Sequence, residues 1–312
     1  MASSRYYSLT NAELEQYFDR IRLPTKIRPN FMAKKRSFLV DLDTITDILN
    51  CHLRDVPFEN LALHYSQRRA IDVDARSVYD KIVLQRRGGY GLEHNLLLNT
   101  VLLNLGLDAY MAGARLWDPK LGKYSGVEHC VNIVAIRGRP WLVDAGIGPN
   151  GPIKPVELAN RAPFSHLNGT TGRIAQTPIA QATPLYCFTE TELFPEDIEI
   201  MNLKISTTPT SAFVPRVFAS RCLAAVDFEY SGDMLISALW DDHSGHSRSR
   251  SCGQLILIGN YIKLRRNGQG TINMPIMCEQ DRVFFLRELF YLELPEHDIK
   301  AIQGTASDLD KL

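Results

Sequence analysis

The sequence predicts an α+β protein built from three successive parts, and the hydrophobic pattern along the chain is the basis for this prediction. Apolar residues recur at helical spacing in the first ninety residues, whereas strand-like runs separated by turn residues dominate from 107 to about 188. A mixture of helical and strand-like segments follows. Helices first, strands second and a mixture third are typical of an α+β fold. We therefore divide the chain into parts 1–90, 91–205 and 206–312.

The composition is that of an ordinary globular protein without excess charge. The 312 residues are 45% hydrophobic, and 35 basic side chains balance 35 acidic ones. Nucleic acids and anionic membranes attract proteins through excess basic charge, so neither is expected as a partner. No run approaches the ~20 apolar residues that cross a bilayer, and residues 1–18 lack a signal core, which favours the cytoplasm. Six scattered cysteines without a CxxC pair indicate reduced thiols and no metal site.

Helices are expected throughout the first part and at the start of the second. Thr10–Glu13 has the sequence of a capping box, which predicts a helix after it. Apolar residues at helical spacing predict further helices over 42–53 and, with Ser77 as the N-terminal cap, over 78–83. A longer apolar helix is predicted over 92–105.

Strands follow in the second part and return in the third. The β-rich run 127–136, a turn and the short run 141–144 predict an antiparallel hairpin. This hairpin sets His129 and Asp144 on neighbouring strands. The run 255–264 is interpreted as one further strand.

The segment 86–95 (RRGGYGLEHN) is the most informative in the chain. It has three glycines within the four positions 88–91 and leads directly into the long apolar helix. A helix N-terminus presents free N–H groups and a partial positive charge, which suit an anion or a nucleophile of lowered pKa. On spacing alone, a plain glycine-rich turn in front of a helix is the commoner explanation.

His129 and Asp144 form the second candidate constellation. A carboxylate on the next strand orients a histidine as a general base. A strand histidine that satisfies a buried hydrogen bond is at least as common an explanation. Cys130 is a poor substitute nucleophile, because neighbouring side chains on a strand point to opposite faces.

Two other groups of polar residues have a structural interpretation. His243 and His246 have metal-like spacing but no third ligand nearby, and they are expected in a solvated loop. The basic run Lys263, Arg265 and Arg266 has the charge to hold a phosphate, but a solvent-facing strand edge is the commoner meaning of such a run.

Several of these segments resemble the motifs of the arylamine N-acetyltransferase family, over nearly the whole chain. The similar stretches are YFDRI at 17–21, PFENL at 57–61, RGGYGLEHN at 87–95, DAGIG at 144–148, and Asn202 with TPTSAF at 208–213. His129 lies 38 residues (129 − 91) after position 91, and Asp144 lies 15 residues (144 − 129) farther on, where the family keeps its catalytic histidine and aspartate. The resemblance implies a helical bundle, a β-barrel and an α/β lid for the three parts.

The resemblance also implies an activity and a set of site residues. Family members transfer an acetyl group from acetyl-CoA to an aromatic amine or hydrazine through an acylated cysteine, and related fungal enzymes prefer malonyl-CoA. His129 and Asp144 are then the expected catalytic residues. The expected oxyanion and pocket residues are Tyr90, Leu92, Gly126, Val127 and Glu128, and the possible cofactor-binding residues are Gly146, Gly148, Thr208 and Ser211.

The decisive position departs from the family pattern. Gly91 stands where the family has its nucleophilic cysteine. Glycine has no side chain, so an acyl-enzyme cannot form there. Acetyl-CoA or malonyl-CoA is therefore expected as a cofactor only if acyl transfer is retained.

Three interpretations of Gly91 remain open. In the first, the chain has left acyl transfer, and the pair of His129 and Asp144 performs a cyclisation, isomerisation, condensation or pericyclic step. Its substrate is then a small aromatic or polyketide-derived secondary metabolite, no cofactor is required, and the space freed at Gly91 enlarges the cavity. In the second, an acyltransferase has been inactivated by a cysteine-to-glycine change, natural or introduced. In the third, the protein binds a ligand without catalysis.

Overall fold

The protein is described by a computed structural model that covers residues 7–28, 40–148, 151–158, 163–165, 171–173, 184–224, 251–266 and 271–311. The α-helices are α1 Asn11–Arg20, α2 Leu42–Asp55, α3 Ala75–Tyr79, α4 Gly91–Asn104, α5 Pro195–Thr207, α6 Glu279–Phe290 and α7 Glu296–Lys300. The strands are β1 Phe58–Glu59, β2 Asp108–Asp118, β3 Lys123–Ile136, β4 Arg139–Val143, β5 Val156–Glu157, β6 Pro163–Ser165, β7 Thr171–Arg173, β8 Tyr186–Glu192, β9 Phe218–Ala224, β10 Ser251–Ile258, β11 Tyr261–Arg266 and β12 Thr271–Pro275.

Helix α4 lies at the centre of the largest hydrophobic core. Every residue over 92–102 is buried, so this helix has no solvent-facing side in its middle turns. Its leucines pack in one cluster with apolar residues of α1, α2 and the β2–β3 hairpin. The N-terminus of α4 is thereby held rigidly against the strands that carry His129 and Asp144.

The described strands form two five-stranded antiparallel sheets and one small hairpin. The first sheet has the order β5-β4-β3-β2-β8, and the second has the order β1-β9-β10-β11-β12. β3 and β4 pair as the predicted hairpin, with Asn132 opposite Val143. β1 lies in the helical part of the sequence, yet it extends the second sheet by pairing with β9.

The α+β class is confirmed, but several local predictions are wrong. Asp74 and not Ser77 caps α3, because the Asp74 side chain accepts a hydrogen bond from the Ser77 N–H. The run 255–264 is a hairpin of β10 and β11, with Gly259 at a φ of +59° in its turn. β11 lies between β10 and β12, so Lys263 is not on a sheet edge.

Some expectations are not tested by these elements. The boundaries 1–90, 91–205 and 206–312 stay a prediction, and His243 and His246 lie outside the described residues. Within the described part of the chain, no helix has the length and apolar character to cross a membrane.

Candidate active site

His129 and Asp144 meet across the β3–β4 hairpin. The Nε2 atom of His129 and Oδ2 of Asp144 are 2.9 Å apart, and both residues are buried. His129 belongs to β3, and Asp144 directly follows the last residue of β4. The hairpin that the sequence predicts therefore brings the two side chains into contact.

A β-bulge lies directly before the histidine. His129 pairs with Ala114, whereas Val127 pairs with Arg115, so Glu128 is an extra residue in β3. A bulge bends its strand and changes the direction of neighbouring side chains, and bulges are frequent beside active sites. The Glu128 carboxylate forms an ion pair with Lys204 of α5, which ties the bulge to that helix.

Asp144 is held in its ionised form by three donors. Besides His129, the side-chain amide of Asn95 and the N–H of Gly146 donate to Oδ1, at 2.9 and 2.8 Å. Burial would raise the pKa of this carboxyl, but His129 and the hydrogen bonds prevail, so the pKa lies below its usual value. An ionised Asp144 accepts the Nε2 proton of His129, so in the neutral tautomer of His129 the unprotonated ring nitrogen is Nδ1.

Position 91 faces that unprotonated nitrogen. Gly91 begins α4, and an ideal Cβ built on it would lie 3.3 Å from Nδ1 of His129 and 2.6 Å from the carbonyl oxygen of Gly146. A side chain at position 91 therefore starts beside the base, as a nucleophile requires. The expectation of an enlarged cavity is wrong at this point, because the Gly146 carbonyl oxygen packs too close to Gly91 to leave extra space beside its Cα.

Buried charges fix the glycine-rich turn that leads into α4. Glu59 accepts a hydrogen bond from Arg87 at 2.9 Å, and Lys81 contacts Glu93 at 2.7 Å. Burial alone would raise the pKa of Glu59, but the cations Arg87 and Lys81 lower it to about 2. Burial raises the pKa of Glu93, whose other oxygen accepts the N–H of Tyr90 at 2.9 Å.

Aromatic rings surround the start of α4. The ring of Phe213 lies 5.7 Å from that of Tyr90 and 5.8 Å from that of Phe58, and the Tyr90 hydroxyl donates to Asn202 of α5. On the other side, the buried ring of Tyr186 lies 5.4 Å from the His129 ring. Burial, with a contribution from Asp144, raises the pKa of that hydroxyl well above its usual value. Of these rings, Phe213 is half-buried, whereas Phe58, Tyr90 and Tyr186 are buried.

The structure brings together some of the predicted site residues and separates others. Gly91 lies beside His129 and Gly146, and Asp144 accepts hydrogen bonds from these two residues. Leu92 is buried in the same hydrophobic cluster as Tyr90 and Phe58, and its assignment to the pocket stays a prediction. Gly126 and Val127 are half-buried in β3, and an ideal Cβ on Gly126 would meet Lys204 Nζ at 3.1 Å.

The remaining predicted residues lie in two loops. Gly148, at a φ of +74°, packs its Cα side against the Phe58 ring. Thr208 and Ser211 form a half-buried turn after α5, in which the Ser211 hydroxyl accepts the N–H of Phe213 at 3.3 Å. The described contacts thus connect this turn to the aromatic rings.

Three residues at the site were not identified by sequence analysis. Asn95 follows Gly91 by four residues, a single helical turn, so a signal for its position was present. Lys204 and Tyr186 reach the site through packing of distant elements, and no local pattern in the sequence marks them. Cys130 lies in the main core, and its burial raises the pKa of its thiol, which makes it an inert cysteine.

Comparison with known proteins identifies the family. A family model described as N-acetyltransferase matches residues 41–251, which is more than half of the 312 residues. The chain belongs to the arylamine N-acetyltransferase family. N-malonyltransferase FDB2 of Gibberella moniliformis is 29% identical over 335 residues, which cover 93% of this chain and 90% of that protein. Arylamine N-acetyltransferase 2 of Homo sapiens is 31% identical over 235 residues, 67% of this chain and 77% of its own length.

Solved structures agree in fold. The arylamine N-acetyltransferase of Salmonella typhimurium superposes with a TM-score of 0.74 at 18% identity, covering 94% of this chain and 98% of that one. The Mycobacterium marinum arylamine N-acetyltransferase in complex with CoA gives a TM-score of 0.70 at 24% identity, with 95% and 98% coverage. The three-part arylamine N-acetyltransferase fold predicted from the sequence is therefore confirmed.

Proposed function

We propose that this member of the arylamine N-acetyltransferase family is an enzyme in which His129 acts as a general base directly on a small substrate, without a covalent acyl-enzyme. The observation that carries the proposal is the direction of Nδ1 of His129. This unprotonated nitrogen faces position 91, where glycine offers no thiol to deprotonate. The proton that Nδ1 of His129 accepts must then come from the substrate or from solvent.

The support around His129 favours proton transfer over a purely structural role. Asp144 orients the ring through Nε2, and Asn95 in turn orients Asp144. A base that is oriented by a buried carboxylate stays in one tautomer and is stabilised when it becomes an imidazolium. Proton abstraction of this kind drives cyclisation, isomerisation or condensation of a small metabolite, and it needs no cofactor.

The aromatic rings suggest the class of substrate. Phe58, Tyr90 and Phe213 form a cluster at the start of α4, on the side of Gly91. Phe213 is the half-buried member of this cluster, and its ring favours a flat aromatic or polyketide-derived molecule through apolar contact and edge-to-face packing. We place this substrate between the aromatic cluster and His129, as a small secondary metabolite.

Acyl transfer without a cysteine is the second candidate, and the relatives favour it. FDB2 of Gibberella moniliformis bears the name N-malonyltransferase, and it is similar to this chain over most of its length. In such a reaction, the amine nitrogen would attack the thioester carbonyl carbon of malonyl-CoA or acetyl-CoA while His129 accepts the amine proton. The C–S bond would then break, and the leaving CoA sulfur would take up that proton. Gly146, Gly148, Thr208 and Ser211 are the residues we assign to the CoA thioester in this case.

Comparative metabolite profiling tests the leading proposal. The protein, its His129→Ala variant and its Asn104→Ala variant are each incubated with extracts of aromatic and polyketide-derived metabolites, with and without malonyl-CoA and acetyl-CoA. We expect a compound that the protein and Asn104→Ala convert but His129→Ala does not, in the absence of either thioester. Conversion only with a thioester selects the second candidate. Conversion that is unaffected by His129→Ala contradicts both.

A further inference from the structure

We propose that a cleft between the first and third parts of the chain binds a free amino acid through its carboxylate and ammonium groups. We call this space the α3–α7 cleft, because its walls come from the segment 62–72, from residues 77–87 around α3, and from residues 297–298 of α7. Its volume of about 510 Å³ lies within the range of small-molecule sites. None of Gly91, His129 and Asp144 lines it, so the inference does not rest on the proposed function.

The helical wall of the α3–α7 cleft has an unusual backbone. α3 continues into a π-helical turn over Asp80–Leu84, after which the N–H of Gln85 donates to the Asp80 carbonyl at 2.9 Å. The side chains of Asp80, Lys81 and Gln85 line the cleft. Short π-helical turns are rare and occur frequently at functional sites. The backbone of this wall therefore supports a binding role.

The charges around the cleft are balanced in number. Three permanently cationic side chains and three acidic ones line it, namely Arg68, Lys81 and Arg87 with Asp72, Asp80 and Asp298. A ligand with several phosphates would meet as many carboxylates as cations here. A ligand that carries one charge of each sign finds a complementary group for both. The balance therefore favours a zwitterion.

Ion pairs within the walls use some of these charges. Arg68 and Asp72 form a two-pronged pair, with N–O distances of 2.9 and 3.0 Å. Asp80 is paired with Arg76 of α3 at 2.9 Å. The charged groups with remaining capacity for a ligand are therefore those of Lys81, Arg87 and Asp298.

Lys81 and Arg87 form the cationic end of the proposed site. An ammonium group has three N–H donors and a guanidinium has five. Among the described residues, Lys81 donates only to Glu93, at 2.7 Å. Within the same part of the structure, Arg87 donates only to Glu59, at 2.9 Å. The two cationic side chains are 17% and 13% exposed, so their free donors are partly desolvated and suited to a ligand carboxylate.

Asp298 of α7 forms the anionic end. Its carboxylate has one described partner, the neighbouring His297, whose Nε2 lies 3.4 Å from Oδ1. The Asp298 side chain is 22% exposed, and its free lone pairs are suited to an ammonium group. Because the cationic and anionic ends belong to different walls of one cleft, they hold the two charged groups of one amino acid. The apolar part of its side chain then contacts Ala62 and Ile71.

A titration of the full chain, followed by NMR of the ligand, tests the proposal with the standard amino acids as probes. The tightest binder is compared with two analogues of the same skeleton, one without the ammonium group and one without the carboxylate. The analogue without the carboxylate tests Lys81 and Arg87 without mutation, because replacing them would also unpair Glu93 and Glu59. Inorganic phosphate is the probe for a plain anion site.

Two variants locate the bound amino acid. Asp298→Asn removes the anionic end, and Glu296→Gln on the same helix is its control, because Glu296 is 83% exposed and does not line the cleft. Ala70→Trp fills the cleft from an exposed position in its wall. Ala306→Trp is the matched control at an exposed alanine that does not line the cleft. Circular dichroism checks that each variant is folded.

We expect at least one amino acid to bind, and both of its analogues to bind at least about tenfold more weakly, because each analogue loses a hydrogen bond between charged groups. Asp298→Asn and Ala70→Trp are each expected to weaken binding of the amino acid by at least about tenfold. Glu296→Gln and Ala306→Trp are expected to bind it as tightly as the protein does.

Other outcomes overturn the proposal. If no standard amino acid binds, or if phosphate binds more tightly than every amino acid, then the cleft is not an amino-acid site. If Asp298→Asn binds the amino acid as tightly as the protein does, then Asp298 does not hold the ammonium group. None of these results affects the proposed function, which depends on substrate conversion by His129.

Discussion

His52 of α2 and His94 of α4 share a direct hydrogen bond, with 2.8 Å between Nε2 of His52 and Nδ1 of His94. The Tyr17 hydroxyl lies 3.0 Å from the other nitrogen of His52, and the other nitrogen of His94 lies 3.2 Å from the Pro57 carbonyl oxygen. Because a carbonyl only accepts, His94 donates to Pro57, His52 donates to His94, and Tyr17 donates to His52. Both rings are therefore neutral in the folded protein, three residues along α4 from Gly91.

This chain of hydrogen bonds predicts that acid destabilises the fold. Burial lowers the pKa of His94 from about 6.5 to about 4 and that of His52 well below its usual value. Between pH 6.5 and pH 4, His52 and His94 bind protons in the unfolded chain but not in the folded protein. Stability is therefore complete above about pH 6.5 and falls as the pH drops towards 4, by about 3 kcal/mol for His94 alone.

Urea unfolding at a series of pH values measures this effect. The slope of the unfolding free energy between pH 6.5 and 4 is expected to be smaller in a His94→Phe variant, which removes the buried imidazole. His297→Phe is the comparison, because it makes the same substitution at an exposed histidine of α7 without disturbing the buried core. Equal slopes for the protein and His94→Phe would contradict the assignment.

Gly91 and Gly146 are each expected to reject a methyl group. A Cβ on Gly91 meets the Gly146 oxygen at 2.6 Å, and a Cβ on Gly146 meets the Gly91 oxygen. Backbone atoms cannot move aside cheaply, so Gly91→Ala and Gly146→Ala should each lower the unfolding free energy by about 1–3 kcal/mol. Gly126→Ala is the comparison, since its Cβ meets the flexible end of Lys204. If Gly91→Ala and Gly126→Ala have equal unfolding free energies, then the backbones of Gly91 and Gly146 are not in close contact.

Asn95 is expected to position Asp144 and not only to stabilise the helix. Its side-chain amide donates to Asp144 and to the Cys130 carbonyl, and its oxygen accepts the Ala145 N–H. Asn95→Ala leaves these buried groups unpaired, which should cost about 2–4 kcal/mol. It should also reduce any reaction that depends on His129.

Asn104→Ala on the same helix is the matched control. Asn104 hydrogen-bonds the N-terminal segment at Tyr7 and Leu9, far from the β3–β4 hairpin and its two residues His129 and Asp144. Its loss should lower stability but leave the pH–rate profile of a His129-dependent reaction unchanged. If the pH–rate profile is also unchanged in Asn95→Ala, then Asn95 stabilises the fold and does not position Asp144 for the reaction.

A buried ion pair within α6 connects the third part of the chain to the first through Tyr65. Arg282 of α6 is fully buried, binds Glu279 of the same helix, and donates to the Tyr65 hydroxyl at 2.8 Å and to the Ser307 carbonyl at 2.6 Å. Arg282→Met leaves a buried carboxylate without its partner and should cost about 3–5 kcal/mol. The double variant with Glu279→Leu should cost less than the sum of the single changes, as a double-mutant cycle in urea will measure. Additive costs would mean that the two charges do not stabilise each other.

Local patterns in the sequence predicted the elements that carry the candidate site. The turn at 137–140 between two β-rich runs predicts the β3–β4 hairpin, and the pairing of these strands brings His129 to Asp144. The glycine-rich segment in front of an apolar run predicts the start of α4 at Gly91. The interpretation of 255–264 as one strand is wrong, although Gly259 and Asn260 divide the run and such a dipeptide is typical of a two-residue hairpin turn.

The sequence by itself determined that position 91 has no nucleophile and that a histidine and an aspartate share one hairpin, because both depend on residue identity and local pairing. Only the tertiary structure decided what occupies the space beside Gly91, since the approach of the Gly146 backbone depends on how α4 packs against the hairpin. The same holds for Asn95 beneath Asp144 and for Lys204 on the Glu128 bulge. Each of these contacts joins residues from separate elements, and the distance between them is determined by packing rather than by sequence spacing.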